Sequence, residues 1–191
     1  MGTLQSWRNR FCAALFFGLV SAHAAVAAPI ISITASPDPA VTWLPLGLDI
    51  RITGATDLYA YQFSLLFDPA ILQANSVTEG PFLATGGSTF FDGGTIDNTL
   101  GSISFLFDTL LGDVPGVTGD GILAHIDFAA IHGGTSNLSF SDLLFLDSNF
   151  NDAGAQGIGR TLAVPEPATL ALLGIGLAGF GVSRRRRAAS G

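Results

Sequence analysis

Two histidines, one string of alternating oxygen-bearing side chains and three aromatics are the residues of this chain best suited by type and spacing to chemistry. His125 and His132 stand seven positions apart, on an expected strand and the turn after it. A continued strand points them to opposite faces, so they read as exposed strand residues and not as ligands of a shared metal. Asp147-Ser148-Asn149-Phe150-Asn151-Asp152 places oxygen ligands at alternate positions, as at the start of a calcium loop. Its sixth position is Asp152 where an EF-hand needs Gly, and its twelfth is Ile158 where an EF-hand needs Glu. With Asp142 nearby, a calcium site outside that pattern stays open beside an Asx-rich turn, which is the preferred reading. No metal is therefore assigned. Asp147, Asn149, Asn151 and Asp152 are the candidate ligands, and Ca2+ the one cofactor they would suit. Trp43, Tyr59 and Tyr61 could form an aromatic platform for sugar rings or pack within the protein, and Trp43, beside Leu44-Pro45 in an expected loop, is the best placed. Serines are plentiful, but no Gly-x-Ser-x-Gly elbow occurs. Most aspartates sit beside Gly, Pro, Asn or Ser, where Asp forms turns. The expectation is a protein that is not an enzyme.

The ends carry a different kind of information. Val164-Pro165-Glu166-Pro167 precedes a charge-free run of 15 residues, 168–182, and then Arg184, Arg185, Arg186 and Arg187. The run is slightly shorter than the roughly 20 residues of an upright membrane span. Snorkelling arginines offset the difference, and the same arginines hold the end in the cytoplasm. Proline disfavours α conformation in the residue before it, so the segment ahead of the helix is extended and open to a processing enzyme. Arg8 and Arg10, the apolar stretch 11–20 and Ala25-Val26-Ala27 read as a secretory signal peptide over residues 1–27. Cys12, the one cysteine, lies within it, so the exported domain has no thiol for a disulfide, a nucleophile or a metal.

The C-terminal pattern resembles the PEP-CTERM sorting signal over 164–187: the Val164–Pro167 motif, a helix with Gly174, Gly176, Gly179 and Gly181, and a terminal arginine cluster. That resemblance implies a Gram-negative bacterium, recognition by an exosortase-like processing enzyme in the inner membrane, and tail removal. It also implies release to the cell surface or extracellular matrix, often alongside exopolysaccharide production.

Residues 28–163 are one domain in size. They hold two arginines, Arg51 and Arg160, no lysine and fourteen acidic residues, a net charge of −12. Such a surface repels nucleic acid and anionic lipid and suits cations, neutral sugars or a basic protein face. Alternating apolar and polar positions between turn residues predict an all-β domain with strands at 30–35, 48–53, 58–67, 72–77, 102–107, 122–131, 137–140 and 159–163. Leu48, Ile50 and Ile52 share one face of the second. Tyr59, Tyr61, Phe63, Leu65 and Phe67 share one face of the third, with Ala60, Gln62 and Ser64 on the other. In the long late strand Ile122, Ala124, Ile126 and Phe128 oppose Leu123, His125 and Asp127. Strands with one apolar face pair those faces, which predicts a two-layer sandwich. Gly80 to Gly94 reads as a loop or a frayed edge hairpin that Phe90 and Phe91 could anchor.

Several segments occur in an order that is similar to bacterial cohesin-like domains: 48–53, 57–72 with its Phe67-Asp68-Pro69 end, 101–107, 119–128 and the turn at Leu146-Asp147-Ser148. The resemblance implies a nine-stranded jelly-roll β-sandwich related in fold to carbohydrate-binding modules. The expected organisation is signal peptide 1–27, cohesin-like sandwich 28–163 and sorting signal 164–187 with a single transmembrane helix at 168–182. The expected function is an exported surface or matrix protein with a non-catalytic binding module for a polysaccharide or a dockerin-like matrix protein, held transiently in the inner membrane by its tail. A structural component of a biofilm matrix without a specific ligand is the alternative, and a polysaccharide-degrading enzyme ranks last.

Overall fold

The computed structural model describes residues 28–166. The expected signal peptide, the expected membrane helix at 168–182, Pro167 and the four terminal arginines lie outside the described residues. Within them are ten strands and one short helix: β1 (Ile30–Ser36), β2 (Pro45–Leu66), β3 (Leu72–Glu79), α1 (Pro81–Ala84), β4 (Thr89–Asp92), β5 (Thr95–Asp97), β6 (Ser102–Leu110), β7 (Val117–Ala130), β8 (Gly134–Asp147), β9 (Gln156–Ile158) and β10 (Arg160–Val164).

The second and third expected strands are the two halves of one element, β2, which serves both layers. Its first half pairs with β1 and β7, and its second with β6 and β8. Between them the backbone bends at Gly54 and Asp57, whose φ values of 72° and 54° lie in the left-handed region. Glycine enters that region freely, and Asp is among the few other residues that tolerate it. The bend divides the continuous hydrogen-bonded sheet into two stacked layers. One layer runs β9-β1-β2-β7-β3, and the other runs β10-β8-β2-β6 with β4 and β5 both on the far edge of β6. The β1–β9 pair is parallel and the other pairs are antiparallel.

The core lies between the layers. Ile31, Leu48, Ile50, Ile52, Ile126 and Phe128 from the first meet Tyr61, Phe63, Leu65, Ile103, Leu106 and Phe145 from the second, all essentially inaccessible to water. Tyr61 lies against Phe63 and Phe145 at ring-centroid distances of 6.0 and 6.1 Å, and Phe67 meets Phe128 edge-on at 5.1 Å. Each such side chain contributes about 1.5–3 kcal/mol on burial. This burial, with no cysteine among the described residues, holds the domain together.

Three sequence expectations are corrected. Leu123 was expected outside with His125 and Asp127, yet it is fully buried. Ile50 pairs Ala124 while Arg51 pairs Ile122, so Leu123 is the extra residue of a β-bulge, which breaks the two-residue alternation. Ser64 was expected to face outward with Ala60 and Gln62, but at a second bulge it is buried and accepts the Phe105 N–H. The 80–94 region is neither one loop nor one hairpin: α1 packs Phe82 and Leu83 into the core, and β4 follows as an edge strand on β6.

Candidate functional site

The strand registers bring apolar side chains together on the outer face of the second layer. In cross-strand order across β8, β2, β6 and β4, one row reads Leu146, Ala60, Thr109, Phe90. The adjacent row reads Leu144, Gln62, Phe107, Asp92. Phe90 and Leu144 are exposed, as are Leu66 and Phe105 on the same strands, and the Phe90 and Phe107 rings lie 5.9 Å apart. A shallow depression of about 130 Å3 runs between Ala60, Gln62, Phe107, Thr109, Leu144 and Leu146. Exposed apolar side chains grouped on a flat sheet mark an interaction surface more than scattered ones do. Asp92 and Asp142 place negative charge at its margins.

Directly beneath this face is a residue that the sequence reading missed. Asp108 pairs with Tyr61 and Phe91 on neighbouring strands and points inward. It is wholly buried, and neither carboxyl oxygen has a hydrogen-bond partner. Burial, reinforced by the nearby Glu79 charge, pushes its pKa up to about 7. Its place in the alternation Leu106, Asp108, Leu110 was the available signal, since the inward phase of that strand includes it.

The three aromatics do not form one platform. Tyr61 is buried, its hydroxyl donating to the Leu123 carbonyl at 2.6 Å, so it offers no face to a ligand. Trp43 lies at the end of the sandwich remote from the bend. It is 70% exposed, with its backbone N–H on the Ala130 carbonyl and its ring edge-on to His132 at 6.1 Å. Tyr59 lies beside the bend, donates to the Gly112 carbonyl at 2.7 Å and meets Phe150 edge-on at 5.5 Å. These two rings line an open cleft of about 540 Å3 between the 112–115 and 148–150 segments.

The Asp147 string forms a closed turn. Asp147 Oδ1 accepts the N–H groups of Asn149 at 2.8 Å and Asn151 at 2.9 Å, and the Asn151 amide also donates to this carboxylate. Hydrogen bonds from the Asn151 backbone and side chain hold the carboxyl below its ordinary value. Asp152 turns away and accepts the Gly154 N–H at 2.9 Å. Asp57, at the bend, accepts from Ser148 N and Oγ with one oxygen and from Gly116 N with the other. Among the described residues no group of three or more His, Cys, Asp or Glu side chains is arranged to hold a metal ion.

The histidines are separate. His132 sits beside Trp43 with Nδ1 2.9 Å from the Ala70 carbonyl oxygen. On the outer face of the first layer, His125 lies between Asp49, 2.6 Å from Nδ1, and Asp127, 3.3 Å from Nε2. Ser76 donates to Asp127 at 2.7 Å and makes no bond to the ring. Both ring nitrogens face carboxylates, so neither is placed to take a proton from that serine. At the C-terminal edge, Val164 is the last residue of β10 and is buried, and the Pro165 carbonyl accepts the Thr42 hydroxyl at 2.9 Å. The sheet therefore extends one residue beyond the expected boundary at 163 and into the sorting motif.

A two-layer all-β domain with a broad apolar sheet face has the architecture of a recognition module. The Cohesin domain model matches residues 46–157, more than half of the chain, and the chain belongs to that family. A second model, the PEP-CTERM protein-sorting motif, matches residues 163–187. No curated protein matches the chain. Similar solved structures include a cohesin module of a Clostridium perfringens family 33 glycoside hydrolase, with TM-score 0.60 and 13% identity over 73% of this chain and 98% of that one. The second type II cohesin of the Acetivibrio cellulolyticus adaptor scaffoldin has TM-score 0.60 and 17% identity over 72% and 97%. The third cohesin ScaC of the same organism, solved in complex with the ScaB dockerin, has TM-score 0.57 and 15% identity over 72% and 99%. Together the two family matches describe an exported, surface-sorted protein that carries a binding module.

Proposed function

We propose that this protein displays its sandwich at the cell surface or in the surrounding matrix as a docking module, and that the outer face of the second layer receives a protein partner. The observation that carries the reading is the pair of cross-strand rows, Leu146-Ala60-Thr109-Phe90 and Leu144-Gln62-Phe107-Asp92, on a face with no covering element among the described residues. Protein interfaces place apolar and aromatic side chains at the centre and polar ones at the rim, and this face has that layout. The acidic margins and the net charge of −12 over residues 28–163 favour a partner with an apolar centre and a basic border. Dockerin binding by a structural neighbour supports a dockerin-like protein as the kind of partner. The exosortase-type enzyme is a transient partner of the tail alone.

A photo-crosslinking residue at position 144, introduced into the full chain in producing cells, tests the reading. Position 34 on the first layer is the control. One recurrent crosslinked protein at 144, lost on Phe107→Asp and absent at 34, is the expected outcome. Identical crosslinks at both positions, or none at 144, would favour a matrix component without a specific ligand and overturn the docking face.

A further inference from the structure

We propose that the cleft beside the bend is a second binding site, separate from the sheet face, and that its ligand is a neutral oligosaccharide chain. Its volume of about 540 Å3 falls within the roughly 300–1,000 Å3 usual for small-ligand sites. Tyr59 and Phe150 line it, edge-to-face at 5.5 Å with 69° between ring planes. Val114 and Pro115 also line it, and Ser148, Asn149 and Asp113 supply polar groups.

Phe150 is the telling residue. It is 67% exposed although apolar, and its φ of 61° lies in a region that bulky side chains rarely enter. Such a conformation costs on the order of 1–3 kcal/mol and persists only where the surroundings impose it. Here Asp147 imposes it by holding the N–H groups of Asn149 and Asn151 on either side. The turn therefore spends hydrogen bonds on keeping an aromatic ring in water at the mouth of a cleft.

Both sides of the cleft are fixed before any ligand arrives. The Asp57 carboxylate binds Gly116 on one side and Ser148 on the other, and the Tyr59 hydroxyl ties down Gly112. A rigid site loses less entropy on binding.

The chemistry selects the ligand class. A pyranose ring has C–H faces that lie against an aromatic ring and hydroxyls that both donate and accept. An amide, a hydroxyl and a carboxylate together offer both kinds of partner. Asp113 is the one charged residue among those lining the cleft, and the domain is strongly acidic, so uronic acids, sialic acids and phosphates are disfavoured.

The test uses the full-length chain in a non-glycosidic detergent, titrated calorimetrically with cellohexaose, laminarihexaose, maltohexaose and mannohexaose. At least one should bind saturably in the millimolar range or better. Phe150→Ala should weaken that binding about tenfold or more with an unchanged melting temperature, whereas Phe150→Tyr and the sheet-face variant Leu144→Asp should retain it. No saturable binding of any of the four, or binding indifferent to Phe150→Ala, would overturn the site. So would Phe150-dependent binding of a proline-rich peptide in place of the sugars. Since Leu144→Asp disables only the sheet face, failure of one site is distinguishable from failure of the other.

Discussion

His125 Nδ1 lies 2.6 Å from Asp49 Oδ1 across β2 and β7, and Nε2 lies 3.3 Å from Asp127 Oδ1, so one imidazole bridges two carboxylates on the outer face of the first layer. The hydrogen bond to Asp49 is the main cause raising the His125 pKa above its usual value, with Asp127 adding to it and partial burial opposing. A raised histidine pKa contributes stability that is complete below the unfolded value of about 6.5 and fades as pH rises through the folded value. His125→Gln should therefore melt below the wild type at about pH 5 and approach it at about pH 9. Melting curves at both values check this, and a deficit that grows with pH would contradict it.

Asp108 titrates with the opposite consequence. Its carboxyl is raised to about 7, chiefly by burial, so the folded state holds a proton that the unfolded chain releases near pH 4. Stability falls as pH rises between those values and levels off above them. Asp108→Asn keeps the shape without the titration. Its stability relative to wild type should rise as pH climbs across that window and level off above it. Chemical denaturation at several pH values reads this directly, and a pH-independent difference would refute it.

Asp57 joins three chain segments through one carboxylate. The Ser148 side-chain hydrogen bond leads the effects that lower its pKa, so its contribution is present above about pH 4 and is lost as pH falls through the lower folded value. Asp57→Asn tolerates the same positive φ but cannot accept at both oxygens. The variant should lose about 2 kcal/mol at neutral pH and little in strong acid. Hydrogen exchange should show faster opening of both 112–116 and 147–152. Opening of only one of them would show that Asp57 does not couple the two.

The base of the tail makes a prediction about processing. Val164 is paired and buried in β10, and Pro165 is tied to Thr42. A Cβ on Gly133 would come within 2.7 Å of Glu166 Cγ, so the chain remains packed against the fold as far as Glu166. An enzyme that binds extended peptide should therefore cut on the C-terminal side of Glu166. Intact mass spectrometry of the exported protein checks this. A terminus before Val164 would mean that the edge strand is removed.

The inward residues Leu48, Ile50, Ile52, Tyr61, Phe63 and Leu65 could be read from the chain because a strand places alternate side chains on one face whatever lies opposite. The same rule failed at Leu123 and Ser64, where bulges shift the phase and no residue type announces a bulge. Nor could it show that residues 45–66 form one strand serving two layers. The run of Gly54, Ala55, Thr56 and Asp57 has the composition of an ordinary turn, and each flanking half carries its own alternating stretch, 48–53 before it and 60–63 after it.

The binding surfaces were less legible than the core. Tyr59 and Tyr61 are two residues apart and share a face, yet one edges a cleft and the other is sealed beneath a second sheet. Phe150 had no assigned role within the calcium-like string and is the exposed ring of the cleft. Local pattern and covalent order specify what depends on neighbours along the chain: the strands, the acidic surface, the tail motif and the alternation that makes a sandwich. Which alternate face is covered, which carboxyl is left without water and which loops meet around Asp57 depend on contacts between segments distant in sequence. Those contacts exist only once the two layers close.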